Sequence, residues 1–575
     1  MKKLLALILT LCMILPLLGG VSALADGEKT VLTFGSIYDG EDWWLYEPYA
    51  KMLEELNIEV QFTKYDTDSF AALLAGGDLP DIVVAKNMIS NVLSNDLAMD
   101  IAPYLEEYAP NMLKGTAGYA FQLSQQLMTN ETGGLYIIMP CIGIHNPNPG
   151  SASDQIQRGY IVRWDYYKEI GCPEIHNDDD YIDVLIQMWK NHPTTEDGQP
   201  TYPFGMRSSN VGYRAAFLKD VAVNHWSNYQ FKNDIFTNDV YNGYLNTQKG
   251  PYWVDMAFLN KIYRIDPSYI DMDMFTMTSD EFNAKVEAGR YMGIHQSNPT
   301  GNKFYKAERA KDPDTIKSYV VIPSDGTVNY NNINMLTGNV PSRFMFISKN
   351  AKNWEAALRF FNMIYDEDFN RYVYSGPKGE TWDYDENGVP HMTEEALADK
   401  AAGGEMWNAT AGNGFGNRIP WLSGFNPGVK HSDGYPMNLA FTKEAAIKAQ
   451  SPLDNDMAAY YGKEYILDIY ADMTDFRNDF GENIAGTMSQ IPTDKLRIIE
   501  ACNDIEEAGK AVLLFCESDE EYNAAVAEMQ AEMKALGIEE VYEWYKGVWD
   551  ESKDLFNALR EDSLAALGIE MYPLD

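Results

Sequence analysis

The residues most able to do chemistry in this 575-residue chain are aromatic and polar side chains gathered in short, loop-like stretches. Tyr38, Trp43 and Trp44 flank Asp39, Glu41 and Asp42, while Lys86 and Asn87 follow an apolar run. His145 and Asn146 open a segment rich in Pro, Asn and Gly, and His295 and Gln296 close another apolar run. Trp382, Trp407, Trp421 and Phe425 accompany a glycine-rich region at 403–428. A sugar presents flat apolar faces edged by hydroxyls, so its site needs aromatic platforms beside side chains that give and take hydrogen bonds. These groups contain both parts. Packing between loop and body is the alternative role for each aromatic, so the case rests on the set. Catalysis has less support, since no HExxH or GxSxG motif occurs and His is limited to seven residues. A secreted glycoside hydrolase or polysaccharide lyase stays open as an alternative, because two carboxylates about 5–10 Å apart suffice for glycosidic cleavage.

One spacing belongs to metal chemistry. Asp383, Asp385, Asn387, Gly388 and Glu394 fit a calcium loop, in which oxygen ligands surround a glycine turn and a carboxylate closes it. Pro390 falls inside that loop, and flanking helices are not evident. A turn joining two strands accounts for the same residues and is the reading adopted. No cofactor is expected, with calcium as the single candidate.

The elements that would hold these groups alternate. Residues 31–34 read as a strand, and 43–56 as a helix with Leu45, Tyr49, Met52, Leu53 and Leu56 near a 3.6 period. Residues 58–62 form a second strand, 70–74 a short helix closed by Gly76-Gly77, and 81–84 a third strand. Short connections between such elements imply a parallel sheet covered by helices. Ligands bind beyond the carboxyl ends of these strands, which sets the 36–44 and 85–91 turns side by side. Further on, 159–167 resumes as strand then helix, 181–190 is an amphipathic helix, and 287–295 leads a strand to another rim. Asn353 is placed to cap a helix striped by Trp354, Ala357, Leu358, Phe361 and Ile364. Ser518 and Glu521 can form a capping box for a helix closing at Gly537. An α/β pattern that breaks off and resumes implies lobes that share segments.

The first residues set the compartment. Lys2 and Lys3, the apolar run 4–18 and Ala23-Leu24-Ala25 make a signal peptide cut after Ala25, hence a secreted protein. Pro16 and Gly19-Gly20 argue against a membrane anchor, and Leu9-Thr10-Leu11 against a lipid site at Cys12. The formal charge of −40, from 45 basic and 85 acidic residues, repels nucleic acid and anionic membranes. Cys141, Cys172, Cys502 and Cys516 lack zinc spacing, and one disulfide among them is possible.

Five stretches, in order, resemble one family. Phe70 to Val84 (FAALLAGGDLPDIVV) is similar to the "LLASGDLPDI" segment of extracellular solute-binding proteins of ABC-type importers, in the maltose-binding-like group. Tyr160 to Gly171, Phe282 to Gly293 and Asn353 to Tyr365 resemble later motifs of that family, and Ala531 to Tyr545 resembles the closing helix of its longer branch. The resemblance implies a two-lobed α/β fold of the type II periplasmic-binding kind, with hinge crossings and extra C-terminal helices. It places a signal peptide at 1–25, an N-terminal lobe at 26–142 plus 319–374, a C-terminal lobe at 143–318 plus 375–515, and a helical tail at 516–575. It implies a monomer that captures a carbohydrate, an oligosaccharide by preference, in the interlobe cleft and delivers it to the permease subunits of an importer. Tyr38, Asp39, Trp43, Trp44, Lys86, Asn87, His145, His295, Trp382, Trp421 and Phe425 are the candidate contacts. The same fold binding a peptide or another solute is the nearest alternative.

Overall fold

The computed structural model describes residues 29–38, 42–86, 88–129, 132–144, 158–219, 221, 230–232, 235–237, 240–296, 300–334, 343–402, 422–473, 475–479 and 491–567. Their apolar side chains gather into two large cores.

The first core begins with β1 (Thr30–Ser36), α1 (Glu47–Glu55), β2 (Ile58–Lys64), α2 (Thr67–Gly76) and β3 (Ile82–Ala85). β1 pairs in parallel with both β2 and β3, and parallel neighbours need crossovers, which the helices supply. Helix α2 ends where Gly77 takes φ 70°, a conformation costly for any side chain. Short helices lead on to β4 (Gly143–Ile144).

A second body follows. It contains β5 (Ile161–Arg163), α3 (Asp178–Asn191), β6 (Tyr202–Gly205), a ribbon of β7 (Gln230–Lys232) and β8 (Ile235–Thr237), α4 (Pro251–Ile265), β9 (Tyr291–Ile294) and β10 (Tyr319–Val321). Its main sheet has the order β10-β5-β9-β6, with β5 antiparallel to both neighbours. β11 (Val328–Asn334) leaves this body, and β12 (Phe344–Ile347) joins the first sheet antiparallel to β3. The first sheet then reads β12-β3-β1-β2. Helix α5 (Trp354–Ile364) covers it with Ala357, Leu358, Phe361 and Ile364 buried. Asn353 precedes this helix without capping it. Its side chain instead donates to the Val31 carbonyl at 2.8 Å, tying α5 to β1.

The hairpin of β13 (Trp382–Tyr384) and β14 (Pro390–Met392) comes next, and β15 (Asp475–Asp479) then pairs with β11. β4 lies on the other side of β11, so the sheet β15-β11-β4 marks where the chain passes between the two bodies. The chain closes with α6 (Thr493–Leu514), α7 (Asp519–Ala535) and α8 (Ile538–Leu567). Ser518 accepts from the Glu521 amide at 3.2 Å, but the Glu521 carboxylate takes the Glu517 amide, so only half of the expected box forms.

The cores divide the chain differently from the boundaries expected above. β10 pairs in the second sheet, and Leu422, Phe425, Val429 and Met437 pack in the first core. Cys502, Leu513, Leu514, Met529, Met533, Ile538 and Val541 are buried in the second core. The closing helices are thus part of that core, docked on α4, where Tyr252 Oη donates to the Glu506 carbonyl at 2.7 Å. The apolar stripe on α6 has α4 as its partner and α7 packs on α6, and no periodicity in the sequence reveals which face they will meet.

Candidate functional site

Register places the functional rims. β12 starts beside the end of β3, with Phe344 opposite Ala85. β10 ends beside the start of β5, with Val321 opposite Ile161, and β5 runs antiparallel to β9. The connections into β5, out of β10 and into β12 therefore attach at the end where β1, β3, β6 and β9 terminate. The carboxyl ends of both sheets border the crossing, as ligand sites in such sheets require. Gly159 makes this approach possible. It holds φ at 115°, and a Cβ there would lie 3.1 Å from Thr327 Cγ2, where the chain leaves for β11.

At the first rim, Tyr38 follows β1 and is half-buried, and its amide donates to Ser36 Oγ at 3.0 Å. The Arg343 guanidinium, just before β12, sits 5.8 Å from the Tyr38 ring centroid. Burial raises the Tyr38 hydroxyl above its ordinary pKa, and Arg343 opposes the shift. Lys86 is exposed at the end of β3. Trp44 is half-buried, with its ring 6.0 Å from Phe62 of β2.

The second rim is richer. His295 directly follows β9, Arg207 comes two residues after β6, and Arg158 comes three residues before β5. The Arg158 guanidinium lies 4.8 Å above the Tyr213 ring and 5.3 Å from that of Phe217, a cation–π arrangement on two faces. Tyr213 is 40% exposed, so part of its ring stays open to a ligand. Burial pushes the His295 imidazole down to about 3, with Arg158 and Arg207 adding to the shift and a hydrogen bond to the Gly205 backbone opposing it. His295 is therefore neutral at physiological pH. Its Nδ1, Arg207 Nε and Asn210 Oδ1 are buried and have no hydrogen-bond partner among the described residues.

The structure corrects several expected contacts. Trp43 is fully buried, in edge contact with Phe34 at 5.5 Å and Tyr49 at 5.6 Å, and belongs to the first core. Trp382 is buried behind the hairpin, its Nε1 donating to the Gly376 carbonyl at 2.8 Å. Phe425 is buried against Tyr365, 6.0 Å away. In each case a large apolar ring gains more by leaving water than a rim position allows. Asp39, Asn87, His145 and Trp421 lie outside the described residues. Arg158, Arg207, Tyr213 and Arg343 carry no motif in the sequence; the one signal available is that the three arginines lie within three residues of a strand terminus, and Tyr213 has none.

The calcium-like spacing forms the β13–β14 hairpin. Asp385 Oδ1 accepts the Asn387 and Val389 amides, both at 2.8 Å, and Glu394 pairs with Lys448 at 2.7 Å. Among the described residues, no group of three or more His, Cys, Asp or Glu could hold a metal, and no helix is long and apolar enough to cross a membrane. Among the described residues, Cys172, Cys502 and Cys516 form no disulfide.

No family model matches the sequence, and no curated protein matches it. Solved structures do match, almost end to end. The S. pneumoniae ABC-transporter substrate-binding protein FusA, an EF-hand mutant in complex with fructo-nystose, superposes with a TM-score of 0.56 at 16% identity over 91% of this chain and 100% of that one. The alginate-binding protein AlgQ2 without calcium gives 0.55 at 15% identity, over 92% and 99%. A solute-binding protein of an HMO-binding ABC transporter from Bifidobacterium longum infantis gives 0.55 at 15% identity, over 91% and 99%. Two α/β bodies, a crossing sheet between them and strand-end rims on both sides thus give this chain the fold of the solute-binding proteins that serve ABC transporters.

Proposed function

We propose that this protein captures a carbohydrate, an oligosaccharide by preference, between its two bodies and hands it to the permease subunits of an ABC importer. The observation that carries this reading is the register just described: both sheets end at the chain crossing, and aromatic and hydrogen-bonding side chains stand at both ends. Three proteins of the same fold are an alginate-binding protein, an HMO-binding solute-binding protein and a substrate-binding protein in complex with fructo-nystose. Tyr38, Trp44 and Lys86 would serve from the first rim, and Tyr213 and His295 from the second. The signal peptide, cleaved after Ala25, would send a monomeric binding protein outside the membrane, at the cell surface. Its role is capture, not catalysis. A thermal-shift screen of the chain from Asp26 onwards, against oligosaccharides, monosaccharides and short peptides, tests this. A ligand at a hundred times its dissociation constant stabilises the folded state by about 2.7 kcal/mol. A lasting rise in melting temperature with a saccharide that is recovered intact is the expected result. Rises with peptides alone would overturn the carbohydrate assignment, and cleavage of the sugar would overturn the transport role.

A further inference from the structure

We propose that the second rim is an anionic subsite, and that the ligand is an acidic oligosaccharide carrying a carboxylate or sulfate ester. This rests on the carbohydrate reading above and names its substrate class. Three observations carry it. First, the chain has almost twice as many acidic as basic residues, yet arginines stand at both rims: Arg158 and Arg207 on the second, Arg343 on the first. Surface charges farther than a Debye length, about 8 Å at physiological salt, are largely screened. A bound anion therefore responds to these arginines more than to the acidic exterior.

Second, the polar atoms left without partners form a matched set. Arg207 makes no ion pair among the described residues, and its buried Nε has no acceptor. A buried guanidinium donor without an acceptor is costly, and a carboxylate or sulfate oxygen satisfies it through the stronger, charge-assisted kind of hydrogen bond. Two acceptor atoms accompany this donor on the same rim. Asn210 Oδ1 is one, and His295 Nδ1 becomes one because the ring is neutral and directs a hydrogen bond to the Gly205 backbone. Sugar hydroxyls donate to such atoms. A donor for an anion together with two acceptors for hydroxyls is the complement of an acidic sugar residue, whereas a neutral sugar gives the buried Arg207 Nε no charged acceptor.

Third, the cluster is built for a ring. Tyr213 is 6.3 Å from His295 between ring centroids, and its other neighbour, the Arg158 guanidinium, fixes its plane. The ring offers an exposed apolar face next to the anion donors, where a pyranose can stack while its acidic substituent reaches Arg207. Phe217, beneath Arg158, is buried with Val328 at the start of β11. The subsite therefore abuts the strand that links the two bodies.

The test is isothermal titration of the chain from Asp26 onwards with three probe sets of equal length: oligogalacturonates, their fully methyl-esterified forms, and O-sulfated oligosaccharides, with neutral hexose oligomers as reference. Acidic probes should bind, and esterification, which removes charge and keeps the sugar, should weaken binding by about ten- to a hundredfold. R207Q should reproduce that loss for acidic probes with an unchanged melting temperature of the free protein, and raising the salt should weaken wild type more than R207Q. Preference between the uronate and sulfate sets identifies the anion. Neutral or esterified probes binding as tightly as acidic ones, with R207Q indifferent, would overturn the anionic subsite and leave the carbohydrate role standing. Binding of no saccharide in any set would overturn both.

Discussion

Asp81 shows how one carboxylate next to a rim can be structural. Its oxygens accept from the Thr33 amide at 3.1 Å, the Thr33 hydroxyl at 2.8 Å and the Asn353 amide at 3.1 Å. It is buried, and it joins β1, the entry to β3 and the start of α5. D81A strands two backbone amides and a hydroxyl, so it should cost about 3 kcal/mol of stability, read as a lower urea midpoint, with unaltered affinity for ligand. A loss of affinity without a loss of stability would place Asp81 in the site instead. The contrast with Trp43 and Tyr213 is instructive. Both are aromatic and adjacent to polar residues in sequence, but one is sealed behind Phe34 and Tyr49 while the other stays 40% exposed beside Arg158. Nothing in residue type separates them, because burial depends on which segment packs over each.

Among the elements, α6 carries the clearest titratable signal. Glu506 is half-buried where α6 meets α4, and its buried Oε1 has no hydrogen-bond partner among the described residues. Burial pushes its carboxyl up to about 8, with Lys510 opposing and Glu507 adding. The folded protein thus holds a proton that the unfolded chain, with an ordinary value near 4.5, has already released. Fewer protons on the unfolded state mean that stability falls as pH rises, here from about pH 5 to about pH 8. E506Q keeps the shape and removes the titration, so its urea midpoint should decline less than that of wild type over this window. Parallel curves for the two proteins would show that Glu506 does not carry the effect. Element existence was largely legible: the repeated strand–helix alternation at 31–84 and the stripe on α5 both formed. The docking of α6 on α4 was not, since an amphipathic face names no partner.

For the whole molecule, the crossing sheet β15-β11-β4 is the natural place for bending, because few segments link two well-packed cores there. A ligand that touches both rims favours the state in which the rims approach. Small-angle scattering should therefore show a smaller radius of gyration with saturating saccharide than without it. An unchanged radius, with binding confirmed by titration, would mean that one rim alone holds the ligand. The division of the chain between the cores belongs to this scale as well. Residues 422–437 return to the first core after the β13–β14 hairpin, a path that local propensity does not encode.

The sequence by itself determined the class of fold, since a 3.6 period and a run of short β-type segments are properties of neighbouring residues. It also determined the acidic balance, the turn at Gly77 and the hairpin at Asp385, because short-range sterics and side-chain-to-backbone hydrogen bonds act over a few positions. Only the tertiary structure decided that Trp43, Trp382 and Phe425 are core, and that Arg158, Arg207 and His295 meet at one rim. Those three residues are separated by 49 and 88 positions in the chain and are brought together by strand order and register. Strand order is settled by which apolar faces exclude water together, a property of the assembled cores and not of any one segment.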